Sequence, residues 1–210
     1  MKLTELFENQ ATRIIVIFPG RFQPPHPGHL HGYLELVNKF GAENVYISMT
    51  EKTDLAKSPF LYDERVAIFT DILGIPSNKI LKVTKQYKVK ELSDNMNLKP
   101  NTAIVFAVSD KDIKENKFSV GRDKEGTESY MKEYKNDIVD TFMHHSYIIK
   151  YPSIEFNLHG QLIHSATQLR ELFRKSSVAK QKKLFEEIYG KLDERIFKMF
   201  LDKFGDNYDK

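Results

Sequence analysis

The chain has 210 residues, 40% of them hydrophobic and 29% charged, with 32 Lys and Arg against 29 Asp and Glu for a formal net charge of +3. So even a balance speaks against a nucleic-acid coat or a membrane-surface patch, and the apolar content suffices to bury a core. Cysteine is absent, which excludes disulfides, a thiolate nucleophile and Cys-ligated zinc and fits a reducing compartment, so the cytoplasm is the expected location.

No apolar run reaches the length of a transmembrane helix. The opening MKLTELFENQ alternates apolar and polar residues, lacks the apolar stretch of a signal peptide, and is expected to form a short amphipathic helix. RIIVIFP (Arg13 to Pro19) reads as a strand buried on both faces. A stretch of proline, glycine and histidine follows, after which Leu30, Leu34 and Val37 recur at helical spacing up to Gly41. NVYISMT predicts a second strand, LYDERVAIFTDILG a helix, KILKV a weak strand and TAIVFAV a strong one. Strands alternating with helices predict βαβ units and a parallel sheet, with ligands at the carboxyl ends of strands. The loops after Phe18 and Val108 are then expected to share one crevice.

From about residue 111 to 136 the periodicity fails, and this charged stretch reads as an insertion, either plain surface or a substrate-contacting loop. SYIIKYPSIEFNL returns to strand composition and SATQLRELFRK starts a helix. His144 and His145 read as strand-edge surface residues. In the tail Leu184, Ile188, Leu192, Ile196 and Phe200 repeat every four residues, which predicts core-packing helices divided at Gly190, with Asp193 as N-cap and Gly205 as terminator. The expected organisation is an α/β domain over 1–177, with the insertion at about 111–136, and a helical extension over 178–210 packed on it.

His26-Pro27-Gly28-His29 stands at the strand-to-helix turn. Pro27 and Gly28 suit the first helical turn, whose N–H groups and positive dipole end attract an anion. The imidazoles add donors, and positive charge if protonated. Gly20 and Gly28 let a bulky ligand approach the backbone. Neither a Walker A motif nor GxGxxG is present. Zinc on His26, His29 and His31 is disfavoured, because the loop has no carboxylate and the spacing is not HExxH. Farther on, Ser165 or Thr167 can cap the late helix while Arg170 reaches phosphate oxygens.

GRFQPPHPGH resembles the first signature of the nucleotidyltransferase superfamily, with its HxGH motif, and GRFQP makes it most similar to the nicotinamide mononucleotide adenylyltransferases. HSATQLRELF is similar to the family's [ST]xTxxR element, with Ser165, Thr167 and Arg170 at the matching positions. SPFLYDERVAIF resembles an NPFxxxER segment through Pro59, Phe60, Glu64 and Arg65, with Ser58 in place of asparagine. VSDKD resembles a GSDR-like turn near the nucleotide base, with Val108 and Lys111 as departures. The insertion and charged tail are similar to nucleotidyltransferase-like proteins of large bacteriophages.

The resemblance implies a Rossmann-like nucleotidyltransferase fold with a mostly parallel sheet and a helical C-terminal tail. It implies transfer of AMP from ATP to a phosphorylated acceptor, with Mg2+ bridging the phosphates and pyrophosphate released. His26, His29 and Arg170 are then the catalytic residues. Phe18, Gly20, Arg21, Phe22, Gly28, Asp110, Ser165 and Thr167 are the nucleotide-binding ones. No residue is assigned as a metal ligand. Candidate stacking groups for the acceptor are Phe22, Phe60, Tyr130 and Tyr134. The alternatives are a cytidylyltransferase using CTP and a non-catalytic nucleotide-binding module. Neither nucleic acid nor membrane is expected as a partner, and self-association is left open.

Overall fold

The structure is a computed structural model that describes residues 10–54, 56–109, 113, 120, 129–135, 139–151, 155–158, 160–163 and 165–205. Strand β1 (Arg13–Pro19) leads through a proline-rich loop to helix α1 (Pro27–Phe40). Strand β2 (Val45–Met49) and helix α2 (Tyr62–Ala67) follow, then strand β3 (Ile80–Lys82), helix α3 (Val89–Asn95) and strand β4 (Thr102–Ser109). Strands β5 (Met131–Glu133), β6 (Ser146–Tyr151), β7 (Phe156–Leu158) and β8 (Gln161–Ile163) precede helices α4 (Ala166–Arg174), α5 (Val178–Tyr189) and α6 (Glu194–Phe204).

Six strands form one sheet in the order β3-β2-β1-β4-β6-β5, and the pairings β1–β2, β1–β4, β4–β6 and β5–β6 are all parallel. Strand β1 thus has a parallel neighbour on each side, and Ile15 to Phe18 are wholly buried. That is why its sequence is a continuous β-branched run rather than an alternation. The expected α/β architecture with a mostly parallel sheet and a helical C-terminal region is the one observed.

The chain divides into two compact units: Met1–Gly20, Tyr33–Ser48 and Val83–Pro152 in one, Arg21–Gly32, Met49–Lys82 and Ser153–Lys210 in the other. In the first, β4 is buried along almost its whole length. The second has its own core, in which Phe60, Leu169, Phe173, Leu184, Phe185, Ile196, Phe200 and Phe204 pack together. Phe200 lies 4.9 Å from Phe60, 5.1 Å from Phe173 and 5.2 Å from Phe185, ring centre to ring centre. Burying each such ring contributes about 1.5–3 kcal/mol. The fourfold repeat in the tail is therefore a core stripe, with Leu192 only partly buried.

The predicted punctuation holds. Gly190 takes a left-handed φ of 69° at the end of α5, a conformation that costs a β-carbon residue more. Asp193 caps α6 by accepting from the Ile196 N–H at 3.0 Å. The helix expected over Leu61 to Gly74 is α-helical only to Ala67. From Ile68 to Ile72 it widens into a π-turn, with Leu73 N–H on the Ile68 carbonyl. Helix α3 and the short strands β5 and β8 have no periodicity long enough to read from sequence.

Candidate active site

The loop between β1 and α1 contains Pro24 and Pro25, and α1 opens on Pro27. Prolines offer no N–H, so this backbone cannot satisfy its own carbonyls and must borrow donors. Three buried side chains supply them. The Arg21 carbonyl accepts from Arg65 Nη1 at 2.9 Å, the Gln23 carbonyl from Arg170 Nη1 at 2.7 Å, and the Pro25 carbonyl from Tyr189 Oη at 2.7 Å. Gln23 adds a fourth tie. Its Nε2 donates to the Phe60 carbonyl at 2.9 Å and its Oε1 accepts from the Phe60 N–H at 2.8 Å, so the side chain pairs with backbone as a strand would. Arg65 also donates to the carbonyls of Thr50 (2.6 Å) and Leu61 (3.2 Å), and burial lowers its pKa. It braces the loop from behind.

The two imidazoles form the entry to α1. His26 is the N-cap, for its carbonyl accepts from the N–H groups of His29 (2.8 Å) and Leu30 (3.3 Å). His29, the third helical residue, turns back so that its Nδ1 accepts from the His26 N–H at 3.2 Å. Of the two bonds of a capping box this is the one from the N3 side chain to the N-cap N–H, with imidazole in place of a carboxylate. Because Nδ1 is an acceptor, the neutral ring carries its proton on Nε2. The rings stack with centres 3.6 Å apart and 27° between planes. Phe156 lies 5.2 Å from His26, and Phe22 meets His29 edge-on at 4.8 Å. Burial lowers the His26 pKa to about 3, and burial together with His26 lowers that of His29 well below its ordinary value. Both rings are neutral at pH 7. They offer N–H donors to an anion rather than charge. His26 Nδ1 is buried and has no hydrogen-bond partner among the described residues.

Charge comes from arginines. Ser165 caps α4, its Oγ accepting from the Gln168 N–H at 3.4 Å. One turn on, Arg170 donates through Nη2 to the exposed Thr167 hydroxyl at 3.2 Å. Arg170 is only 6% exposed. Its pKa is lowered by burial and by the like charges of Arg174 and Arg21, with Glu171 opposing. Three guanidinium groups near one another suit a polyanion.

Arg21, Phe22, His26, Gly28, His29, Ser165, Thr167 and Arg170 thus belong to one compact unit. Phe18 and Gly20 belong to the other. The Phe18 ring is fully buried, edge-on to Tyr151 at 4.9 Å, and the Gly20 N–H donates to the Ser48 carbonyl at 3.2 Å. Asp110 and Lys111 lie outside the described residues, as do residues 1–9 and most of the insertion. Of the candidate stacking groups, Phe60 is a core residue and Tyr134 lies 5.6 Å from Phe40. His144 is exposed, and His145 Nε2 is 3.9 Å from an Asp140 oxygen. Sequence reasoning missed Gln23 as a brace, although a lone amide inside a proline-flanked apolar stretch is a signal. It also missed Tyr189, which nothing in its own segment singles out. No group of three or more His, Asp or Glu able to hold a metal occurs among the described residues, and no described helix is long and apolar enough to cross a membrane.

Comparison with known proteins bears on the family and the fold. Over 57 residues the chain is 35% identical to a nicotinamide-nucleotide adenylyltransferase of Pyrobaculum neutrophilum, covering 27% of this chain and 32% of that protein. With its Pyrobaculum aerophilum counterpart it shares 32% over 68 residues, 31% of this chain and 38% of the relative. The matched segments thus span about a third of the curated relatives' length. Among solved structures, a bifunctional NMN adenylyltransferase/ADP ribose pyrophosphatase from Francisella tularensis superposes with a TM-score of 0.53 at 18% identity, covering 93% of this chain and 52% of that one. A Plasmodium falciparum nicotinic acid mononucleotide adenylyltransferase superposes with a TM-score of 0.50 at 14% identity, over 93% and 97%. These likenesses are of fold. A family model described as cytidylyltransferase-like matches residues 17–189, most of the chain, and to that family the protein belongs.

Proposed function

We propose that the protein transfers an adenylyl group from ATP to the phosphate of a phosphorylated acceptor, nicotinamide mononucleotide foremost, with release of pyrophosphate. The observation that carries this reading is the neutral, stacked pair His26–His29 at the start of α1, in the same unit as Arg170, which is tied to the loop that bears them. A phosphate oxygen of the acceptor attacks the α-phosphorus in line, a new P–O bond forms, and the bond to the β-phosphate oxygen breaks. Such chemistry rests on positioning and charge stabilisation, and no protein nucleophile is required.

In this reading the Nε2–H of His29 donates to the α-phosphoryl oxygens as charge develops, with His26 stacked behind it. Thr167 and Arg170 hold the β- and γ-phosphates, and Arg21 adds charge beside them. Ser165 aims the start of α4, Gly28 leaves room for the ligand, and Phe22 belongs to the nucleotide pocket; the resemblance also proposes Phe18, Gly20 and Asp110 as nucleotide-binding residues. No residue is assigned as a metal ligand, and Mg2+ accompanying the triphosphate would neutralise charge on its phosphates. The Francisella neighbour has been crystallised with AMP and a Mn ion, which supports a divalent cation here. The relatives' names favour nicotinamide mononucleotide as acceptor. The family's description keeps CTP as the second reading. We assign the chemistry to residues 1–177, with 178–210 as a helical extension, and the setting to the cytoplasm.

Incubation with Mg2+, each nucleoside triphosphate in turn and a panel of phosphorylated acceptors, with detection of pyrophosphate, tests this. Product with ATP and nicotinamide mononucleotide is expected. Product with CTP alone favours the second reading, and triphosphate binding without turnover favours a binding module.

A further inference from the structure

The Pro25–His26 peptide is hydrogen-bonded at both ends. Its carbonyl accepts from the Tyr189 hydroxyl at 2.7 Å, and its N–H donates to His29 Nδ1 at 3.2 Å. A trans peptide is a rigid plane whose C=O and N–H point in opposite directions. A donor that holds the oxygen therefore also aims the N–H. The aromatic body of Tyr189 is explained by packing, for it lies 4.8 Å from Phe185 and 5.9 Å from Phe200 and is 9% exposed. A phenylalanine would fill that space equally well. The hydroxyl has a different role: it reaches across 164 positions of sequence to the one carbonyl next to His26.

We propose that Tyr189 is a positioning residue, which acts through the Pro25–His26 peptide to hold His29 in the tautomer that carries its proton on Nε2. The three groups form one chain, hydroxyl to carbonyl and N–H to imidazole nitrogen, in which each bond polarises the next. The outcome is a ring whose bare nitrogen is occupied inside the fold and whose N–H is free to serve as a donor. The consequence for catalysis rests on the adenylyl-transfer reading above, whereas the tautomer does not.

The test uses the full chain labelled with 15N-histidine, with the His29 signals assigned through His29→Gln. Protonated and bare ring nitrogens have well-separated 15N shifts. The unsubstituted protein should show a bare Nδ1 and a protonated Nε2. Tyr189→Phe should shift His29 toward a mixture of tautomers. It should also lower kcat roughly five-fold, the value of one net hydrogen bond, with KM for ATP held within about two-fold. A purely structural role would leave the tautomer unmoved. An Nδ1–H tautomer in the unsubstituted protein overturns the proposal with no variant needed, even should Tyr189→Phe fail to fold. An unchanged tautomer in a folded Tyr189→Phe protein overturns it as well. A changed tautomer with undiminished kcat supports the link and refutes the catalytic assignment of His29 instead.

Discussion

Gln23→Leu isolates the tie between the histidine loop and the segment at Phe60. The substitution keeps the side chain's size and introduces no charge. It removes two buried hydrogen bonds, at 2.9 and 2.8 Å, and leaves the Phe60 carbonyl and N–H without those partners. Gln23 is 3% exposed and Phe60 is fully buried, so water does not replace the lost amide. Each buried polar group left unsatisfied costs about 1–3 kcal/mol, and the apolar gain from leucine returns part of it, so a net loss of about 2–4 kcal/mol is expected. Urea unfolding at pH 7.5 reads the change as a lower midpoint at constant slope. Gln23→Glu sharpens the test. A carboxylate keeps an acceptor for the Phe60 N–H but has no donor for its carbonyl, and it adds a buried charge, so it should cost at least as much. Because the tie ends three residues from His26, pyrophosphate release should fall with stability in both variants. A loss below about 0.5 kcal/mol for Gln23→Leu would refute the claim that this amide holds the loop.

Three further outcomes follow from the geometry. His29→Ala should abolish pyrophosphate release by at least about 100-fold, as loss of one preorganised donor does. Its stability should fall only about 1 kcal/mol, and full turnover would remove His29 from the site. Arg170→Ala should raise KM for the triphosphate and also destabilise by about 1.5–3 kcal/mol, because a charged donor to the Gln23 carbonyl is lost. Unchanged kinetics would show that Arg170 braces and does not bind. Stability should fall as pH drops from about 6.5. The unfolded chain takes up a proton on His26 near 6.5, while the folded chain refuses it until about 3, so the unfolded state binds more protons and acid favours it. At pH 5 the cost is about 2 kcal/mol, from roughly 1.5 units at 1.36 kcal/mol each, with His29 acting in the same direction. Asp54, Asp71 and Glu91 have lowered pKa values, so they do not titrate in that window. Denaturation at pH 7 and pH 5 should show a smaller acid loss for His26→Asn, and equal losses would defeat this account.

Much of the site was legible because it is built from local punctuation. A β-branched run ending at Pro19, a helical spacing starting near Leu30 and Pro27-Gly28 between them place the imidazoles at a helix start. The residue types at Ser165, Thr167 and Arg170 did the same for α4. The strong strands were legible as continuous apolar runs and the tail helices through periodicity. The π-turn at Ile68–Ile72 was not, since its cause lies in what surrounds it. Strands β5 and β8 have three residues each, too few to carry a pattern.

The sequence by itself determined which groups stand at the helix start, because capping and turn chemistry act within a few residues. It could not determine the charge of those groups. Neutral histidines follow from desolvation, which depends on Phe22, Phe156 and each other's rings, brought together only by folding. Nor could it determine which side chains hold the loop. Three prolines announce that donors are missing from positions 24 to 27, but Arg65, Arg170 and Tyr189 come from segments about 40 to 164 residues away. Which distant donor satisfies which carbonyl is settled by tertiary packing, and that choice fixes the Pro25–His26 peptide whose N–H donates to His29.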